Sequence, residues 1–144
     1  MSARRLAALA LALALSLPGM ARAEAPPRVL ALVTSSDPQV QGMAFVLLNQ
    51  MRQQGVTVEV MLCGAAGDLA RREPPEAAPL RPLDATPAQM FRTLVQAGVR
   101  AEVCALYLPN AGLGPEALIE GVRPAAPPEM ARRMLAAATR VLPF

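Results

Sequence analysis

Two cysteines are the side chains of this sequence best suited to covalent chemistry. Cys63 ends the apolar stretch VTVEVMLC, and Cys104 lies in EVCALYLPNAG. The chain contains neither histidine nor lysine. That composition excludes a histidine general base, a histidine metal ligand and a lysine Schiff base from the chain itself.

Cys104 lies near the end of a short apolar run that breaks into Pro109, Asn110 and Gly112. A thiol near loop amides and the start of a helix has a lowered pKa, which favours the nucleophilic thiolate. Free cysteines are also commonly buried as small, inert hydrophobic residues. The sequence leaves both interpretations of Cys104 open.

Alternating strand and helix patterns predict the framework around the thiols. Apolar runs rich in β-formers predict three main strands, and prolines after polar residues mark the starts of helices. This alternation predicts an α/β fold, a single three-layer domain with a mostly parallel five-stranded sheet and helices on both faces. The predicted strands are residues 28–34, 56–63, 99–106, 122–123 and 139–144, the predicted helices begin at Pro38, Pro87, Pro115 and Pro128, and residues 107–114 are predicted to be a loop.

Ligands of an open parallel sheet bind beyond the carboxyl ends of its strands. Three segments fall at that edge: one after the first strand, one after the second and one after the third. Tyr107 could cover the thiol, donate a hydrogen bond or pack at a subunit interface. The candidate reactive residue is Cys104, and the candidate binding residues are Ser35, Ser36, Asp37, Cys63, Tyr107 and Asn110.

The first 23 residues have the layout of a cleavable signal peptide. Arg4 and Arg5 precede a Leu/Ala run that is short for a membrane span, and Ala21-Arg22-Ala23 is typical of a cleavage site. We therefore expect a periplasmic protein, with no membrane association after cleavage. The expected domain is residues 24–144, with residues 73–87 as a proline-rich surface loop.

The charge of the expected mature chain argues against a nucleic-acid partner. The full chain has 14 basic and 11 acidic residues, and the signal segment removes three arginines and no acid. The remaining net charge is zero, whereas a nucleic-acid surface normally needs a basic excess.

Three segments give the chain a resemblance to a known family. They are VLALVTSSDPQVQGMAFVLLNQMRQQGVTVEVMLCGAAGDL, MFRTLVQAGVRAEVCALYLPNAGLGPEALIEGV and the terminal RVLPF. The most specific part runs from Gly98 to Val122, with a cysteine near the end of a strand and Gly112 eight residues later. The chain resembles the DsrE/DsrF/DsrH-like (YchN-like) sulfur-relay family.

This resemblance implies that Cys104 accepts sulfane sulfur as a persulfide and hands it on, in the manner of a sulfurtransferase-type carrier. It also implies a trimeric or hexameric homo-oligomer. The expected partners are a sulfur donor or acceptor protein, or a small thiol, and no cofactor or metal is expected. The sequence departs from catalytic relatives in its uncharged LPNAG loop, since those relatives often have basic residues there. The expected export is a second departure from those relatives.

Four alternatives remain open at this stage. A disulfide between Cys63 and Cys104 is disfavoured, because the family's expected strand order puts the first strand between the second and third and separates the strand ends by about 9.6 Å. Cys63 is then expected to be buried. A soft-metal, copper(I) site is a further alternative, since six methionines remain in the mature chain; we expect these methionines to fill the core.

The remaining two alternatives concern the arginines and the thiol itself. Arg71-Arg72 and Arg132-Arg133 could bind an anion, although we expect solvated surface charges. Finally, the protein could be a non-catalytic ligand-binding or assembly member of the same fold, with an unreactive structural thiol.

Overall fold

The computed structural model of the chain describes residues 26–144. The expected signal peptide, residues 1–23, lies outside these described residues. None of the helices within residues 26–144 is long and apolar enough to cross a membrane.

A five-stranded parallel sheet forms the centre of the described domain. Its strands follow the order β4-β3-β2-β1-β5, and each neighbouring pair is parallel. The predicted α/β class and strand number are therefore confirmed. The strands are β1 (Arg28–Val33), β2 (Thr57–Leu62), β3 (Arg100–Val103), β4 (Val122–Pro124) and β5 (Thr139–Pro143).

Helices and 3-10 turns connect the strands. Asp37 caps the first helix by accepting hydrogen bonds from the Gln39 and Val40 amides, and Thr86 and Gln89 form a reciprocal capping box at the second. The helices are α1 (Pro38–Gln53), α2 (Pro87–Gln96), α3 (Tyr107–Ala111) and α4 (Pro127–Met134), with 3-10 helices at Gly64–Ala70 and Pro115–Ala117.

The two faces of the sheet are covered differently. Alternate strand residues point to opposite faces, so each strand contributes to two separate clusters. The larger cluster packs under α1 and α2, where Phe45 and Phe91 meet with ring centroids 5.6 Å apart. The smaller cluster lies under α4 and contains Leu30, Met61, Ala125 and Met130.

Carboxylates occupy the α4 face beside the smaller cluster. Glu59 on β2 and Glu102 on β3 are only 5% and 2% exposed. Arg133 on α4 donates hydrogen bonds to both carboxylates. Arg28, Arg100 and Arg123 complete the ion pairs around them. Buried charges require such partners, so this network defines where α4 docks on the sheet.

The structure corrects several details of the sequence interpretation. Strand β3 ends at Val103 rather than at residue 106, and residues 107–111 form a short helix instead of a loop. Met43, one of the methionines expected to fill the core, is 57% exposed. Amphipathic spacing identifies a helix but does not show how much of its apolar stripe the sheet covers.

The proline-rich segment returns to the surface of α1. Leu80 pairs with Ala85 through an isolated antiparallel bridge. The Leu80 side chain lies against Gly42, where an added β-carbon would overlap it. The absence of a side chain at position 42 therefore makes room for the segment to pack on the helix.

Candidate functional site

Cys63 and Cys104 lie side by side at the carboxyl edge of the sheet. Leu62 on β2 is paired with Val103 on β3, and each cysteine is the next residue in its chain. The Cys104 amide donates to the Leu62 carbonyl at 2.8 Å, so the pairing continues past the last strand residue. Two residues earlier, Met61 and Glu102 both lie on the α4 face, and strand alternation therefore places both thiols on that face.

This arrangement corrects the expected strand order. We expected β1 to separate β2 from β3, but β2 lies between β1 and β3. The two thiol-bearing positions are therefore one strand spacing apart, about 4.8 Å, rather than two. That spacing falls within the range of about 4.4–6.8 Å between the Cα atoms of disulfides. The geometric objection to a bond between them disappears.

Both thiols are free and partly exposed at the edge of the smaller cluster. Cys104 also packs against the larger cluster. The predicted burial of Cys63 is wrong: its exposure is intermediate, like that of Cys104. A small reagent can therefore reach this sheet edge.

The two sulfurs differ in their electrostatic surroundings. Burial, a hydrogen bond with the Cys104 side chain and the negative charge of an ionised Cys104 together raise the pKa of Cys63 to about 12. Cys63 therefore remains a protonated S–H donor at neutral pH. Because the thiolate is the nucleophilic form, Cys63 is a poor nucleophile, and Cys104 remains the sulfur assigned to chemistry from the sequence.

Tyr107 fixes the segment that follows Cys104. Its hydroxyl donates to Asp68 Oδ1 at 2.6 Å, and its ring lies against Gly67. Burial and the bond to Asp68 both raise the pKa of Tyr107. Of the three roles considered for this residue, the structure shows hydrogen-bond donation, to Asp68 on the 3-10 helix after Cys63. Tyr107 thereby ties together the two segments that leave the thiols.

The other predicted binding residues have local structural roles. Ser35 accepts a hydrogen bond from the Asp37 amide at 3.1 Å, and its own amide donates to the Phe144 carbonyl. Asp37 caps α1, and Ser36 lies exposed between them. The Asn110 side chain donates to the Leu106 carbonyl at 2.7 Å within α3. The structure thus brings Cys63 and Cys104 together and leaves these residues as caps and turns around the same edge.

Sequence reasoning missed the ion network one row below the thiols. Glu102 is two residues before Cys104, and burial there would raise its pKa, but hydrogen bonds from Arg133 and Arg100 outweigh that effect and lower it. The expectation that Arg133 is a solvated charge is wrong, because its side chain is only 10% exposed and pairs with both buried carboxylates. A single acidic residue in each of VTVEVML and RAEV was the available signal, because a charge in a covered strand needs a partner.

Within residues 26–144, no group of three or more histidine, cysteine, aspartate or glutamate side chains is placed to hold a metal. The carboxylates of Glu59 and Glu102, on the strands that precede the thiols, are already paired with arginines. Two open clefts lie beside the proline-rich segment instead. One has a volume of about 600 Å³ and is lined in part by Glu76 and Arg92. The other has a volume of about 610 Å³ and is lined in part by Leu80 and Met90.

Comparison with known proteins identifies the fold and a family. The sequence pattern of the DsrE/DsrF-like family matches residues 28–144. The fold is similar to that of the ychN protein from E. coli (TM-score 0.63, 19% identity) and of MTH1491, a protein of unknown function from Methanobacterium thermoautotrophicum (TM-score 0.58, 19% identity). Each alignment covers 82% of this chain and 99% of the other. No curated protein sequence matches the chain.

Proposed function

Since this chain belongs to the DsrE/DsrF-like family, we propose that it is a sulfur carrier that holds sulfane sulfur as a persulfide on Cys104. Membership of this family supports a fold of the sulfur-relay type. The observation that favours Cys104 as the carrier is its position at the open carboxyl edge of the sheet, next to a protonated thiol. The raised pKa of Cys63 makes it a poor nucleophile, which leaves Cys104 as the sulfur of the pair that attacks the donor.

The proposed chemistry is thiol exchange at sulfur. The Cys104 thiolate attacks the outer sulfur of a donor persulfide, R–S–SH. The donor S–S bond breaks, and the donor leaves as the thiolate R–S⁻. Cys104 then carries S–SH. An acceptor thiolate attacks that outer sulfur and leaves with it, which regenerates the Cys104 thiolate. Neither step needs a histidine, a lysine or a cofactor.

Mass spectrometry after exposure to glutathione persulfide tests this function. We expect the reduced Cys63→Ser variant to gain the mass of one sulfur atom on the peptide that contains Cys104. The loading experiment uses Cys63→Ser because a persulfide on Cys104 could react further with Cys63. Its control is the double variant Cys63→Ser/Cys104→Ser. Equal sulfur uptake by both variants, or none by either, would contradict the proposal and favour a structural thiol in a non-catalytic member of the fold.

The proposed carrier acts outside the cytoplasm, after removal of residues 1–23. The charged start, the Leu/Ala run and the small residues before Glu24 support this assignment. Expression of the full chain should place the protein in the periplasmic fraction with Glu24 as its N-terminus. An intact N-terminus in the cytoplasmic fraction would contradict export.

We further propose that the carrier assembles as a trimer or hexamer. Leu106 and Leu135 are 73% and 85% exposed in the single chain, and large exposed apolar side chains are candidates for burial between subunits. Light scattering on the purified protein should give three or six times the monomer mass. A monomer at micromolar concentration would contradict this assembly.

Copper(I) binding is a second candidate function, supported by a specific cluster. Met61, Met130 and Met134 pack in the same cluster as both thiols. Thiolate and thioether ligands select soft ions such as copper(I). The expected outcome is competition with bicinchoninate for copper(I), weakened in Met61→Leu and unchanged in Met43→Leu, since Met43 is exposed on α1. Equal copper(I) affinity in the two variants would show that Met61 is not a ligand of the site.

A further inference from the structure

The thiol pair is placed to form a bond within the chain. The cysteines are opposite each other on adjacent parallel strands, on one face, about one strand spacing apart. The Cys104 amide is already held by β2 through the Leu62 carbonyl. Their backbones therefore need no rearrangement to reach the Cα separation of a disulfide.

Attack at this position would reach the inner sulfur of a persulfide. Cys63 lies opposite Cys104 on the neighbouring strand, so the sulfur within its reach is Cys104 Sγ. Both thiols pack against the cluster of Leu30, Met61, Ala125 and Met130, so we expect an outer sulfur on Cys104 to occupy the other, solvent side. An acceptor from solution meets the outer sulfur, and Cys63 meets the inner one. The acceptor thiol and Cys63 compete for the same persulfide, but they attack different sulfur atoms.

We propose that Cys63 is a resolving thiol, and that the pair converts sulfur bound on Cys104 into sulfide. The inference rests on the proposed persulfide at Cys104. Cys63 Sγ attacks Cys104 Sγ, and the bond between Cys104 Sγ and the outer sulfur breaks. The outer sulfur keeps the bonding electrons, takes the proton from Cys63 and leaves as HS⁻.

The step is balanced in atoms, charge and electrons. The persulfide Cys104–S–SH first loses its outer proton to solvent; Cys104–S–S⁻ and Cys63–SH then become the Cys63–Cys104 disulfide and HS⁻. The outer, sulfane sulfur is reduced by two electrons, and each cysteine sulfur is oxidised by one. The persulfide is itself the oxidant. A second round requires an external dithiol to reduce the disulfide by thiol exchange.

The proton on Cys63 slows the attack of Cys63 on the persulfide. At neutral pH Cys63 is protonated and holds the proton that the leaving sulfide needs, but a protonated thiol attacks slowly. An acceptor thiolate that docks at the edge can therefore remove the outer sulfur first. Without an acceptor, the same persulfide is released as sulfide. The geometry therefore gives the persulfide on Cys104 two outcomes: transfer of its outer sulfur to an acceptor, or release of that sulfur as sulfide.

A single-turnover experiment tests the proposal on the expected mature chain. The reduced protein and its variants are loaded under anaerobic conditions with one equivalent of glutathione persulfide and desalted, and released sulfide is then measured. The wild type should release close to one sulfide per loaded chain. Its mass should fall by two hydrogens relative to the reduced protein, with a peptide that links Cys63 and Cys104. Cys63→Ser should retain its sulfur on Cys104 and release less than about a tenth as much sulfide.

The control is Thr34→Ala, a change at the neighbouring strand end that leaves both thiols in place; it should release sulfide like the wild type. A wild-type protein that holds its sulfur as long as Cys63→Ser, with no linked peptide, would overturn the resolving role while the carrier function stands. If neither protein gains sulfur on Cys104, the carrier proposal fails, and the resolving role fails with it. The linked peptide is measured in the wild type, so the test does not depend on whether Cys63→Ser folds.

Discussion

At the level of single residues, the neighbour of each cysteine decides its role. The two thiols have similar exposure and share one cluster, yet Cys63 stays protonated because of burial and the adjacent Cys104. The short helix α3 after Cys104 has five residues and offers little dipole to a thiolate.

Alkylation should therefore distinguish the two cysteines. With iodoacetamide at about pH 8, Cys104 should be labelled more than about tenfold faster than Cys63, because the thiolate is the reactive form. In Cys104→Ser the labelling of Cys63 should become faster, since the hydrogen bond and charge that raise its pKa are gone. Peptide mass spectrometry over time measures both rates. Faster labelling of Cys63 in the wild type would reverse the assignment of the nucleophile.

At the level of elements, the 3-10 helix after Cys63 and helix α3 after Cys104 hold each other in place. Tyr107 contributes a buried ring against Gly67 and a hydrogen bond to Asp68. The sequence indicated Tyr107 as a candidate from its spacing to Cys104, but not its partner, which is 39 residues away in the chain. Such a contact depends on which strands are neighbours.

Gly67→Ala should loosen this contact. The added methyl group would overlap the Tyr107 ring, and overpacking of this kind costs about 1–3 kcal/mol of unfolding free energy. Urea unfolding followed by circular dichroism measures the loss. Ala65→Ser, an exposed change in the same 3-10 helix, should differ from the wild type by less than about 0.5 kcal/mol. Equal midpoints for the two variants would show that Tyr107 moves aside without cost.

At the level of the whole molecule, ion pairs inside the sheet dock α4 beneath the thiol edge. Arg133 joins Glu59 and Glu102, which come from two strands and are both buried. The arginine pair 132–133 therefore divides into one surface residue and one internal residue. The helix period alone places these side chains about 100° apart but does not state which one meets the sheet.

Replacing the internal arginine should be costly. Arg133→Met leaves two buried carboxylates short of a partner, and breaking a buried pair costs about 3–5 kcal/mol. Arg132→Met, on the exposed neighbour, should cost less than about 0.5 kcal/mol. Urea unfolding at neutral pH gives both values. A similar small loss in each variant would mean that the remaining arginines are sufficient for both carboxylates.

Acid should weaken the same network. Arg133 and Arg100 overcome the effect of burial and lower the pKa of Glu102 below its ordinary value of 4.5. A carboxylate with a lowered folded pKa stabilises the fold above the unfolded pKa, and this contribution is lost as the pH falls through the folded value. Stability should therefore decline below about pH 4.5. Glu102→Gln should start less stable at pH 7 and lose less over that range in urea titrations.

The sequence by itself determined the α/β class, the five strands and the placement of both cysteines at strand ends, because apolar periodicity and proline or glycine punctuation are local signals. It also identified the family through three segments of the chain. Local signals contain no information on which strands become neighbours. The tertiary structure alone decided that β2 lies beside β3, and hence that Cys63 faces Cys104, that Tyr107 reaches Asp68 and that Arg133 is internal. These contacts arise from strand pairing and helix docking between residues far apart in the chain, where packing and charge compensation act together.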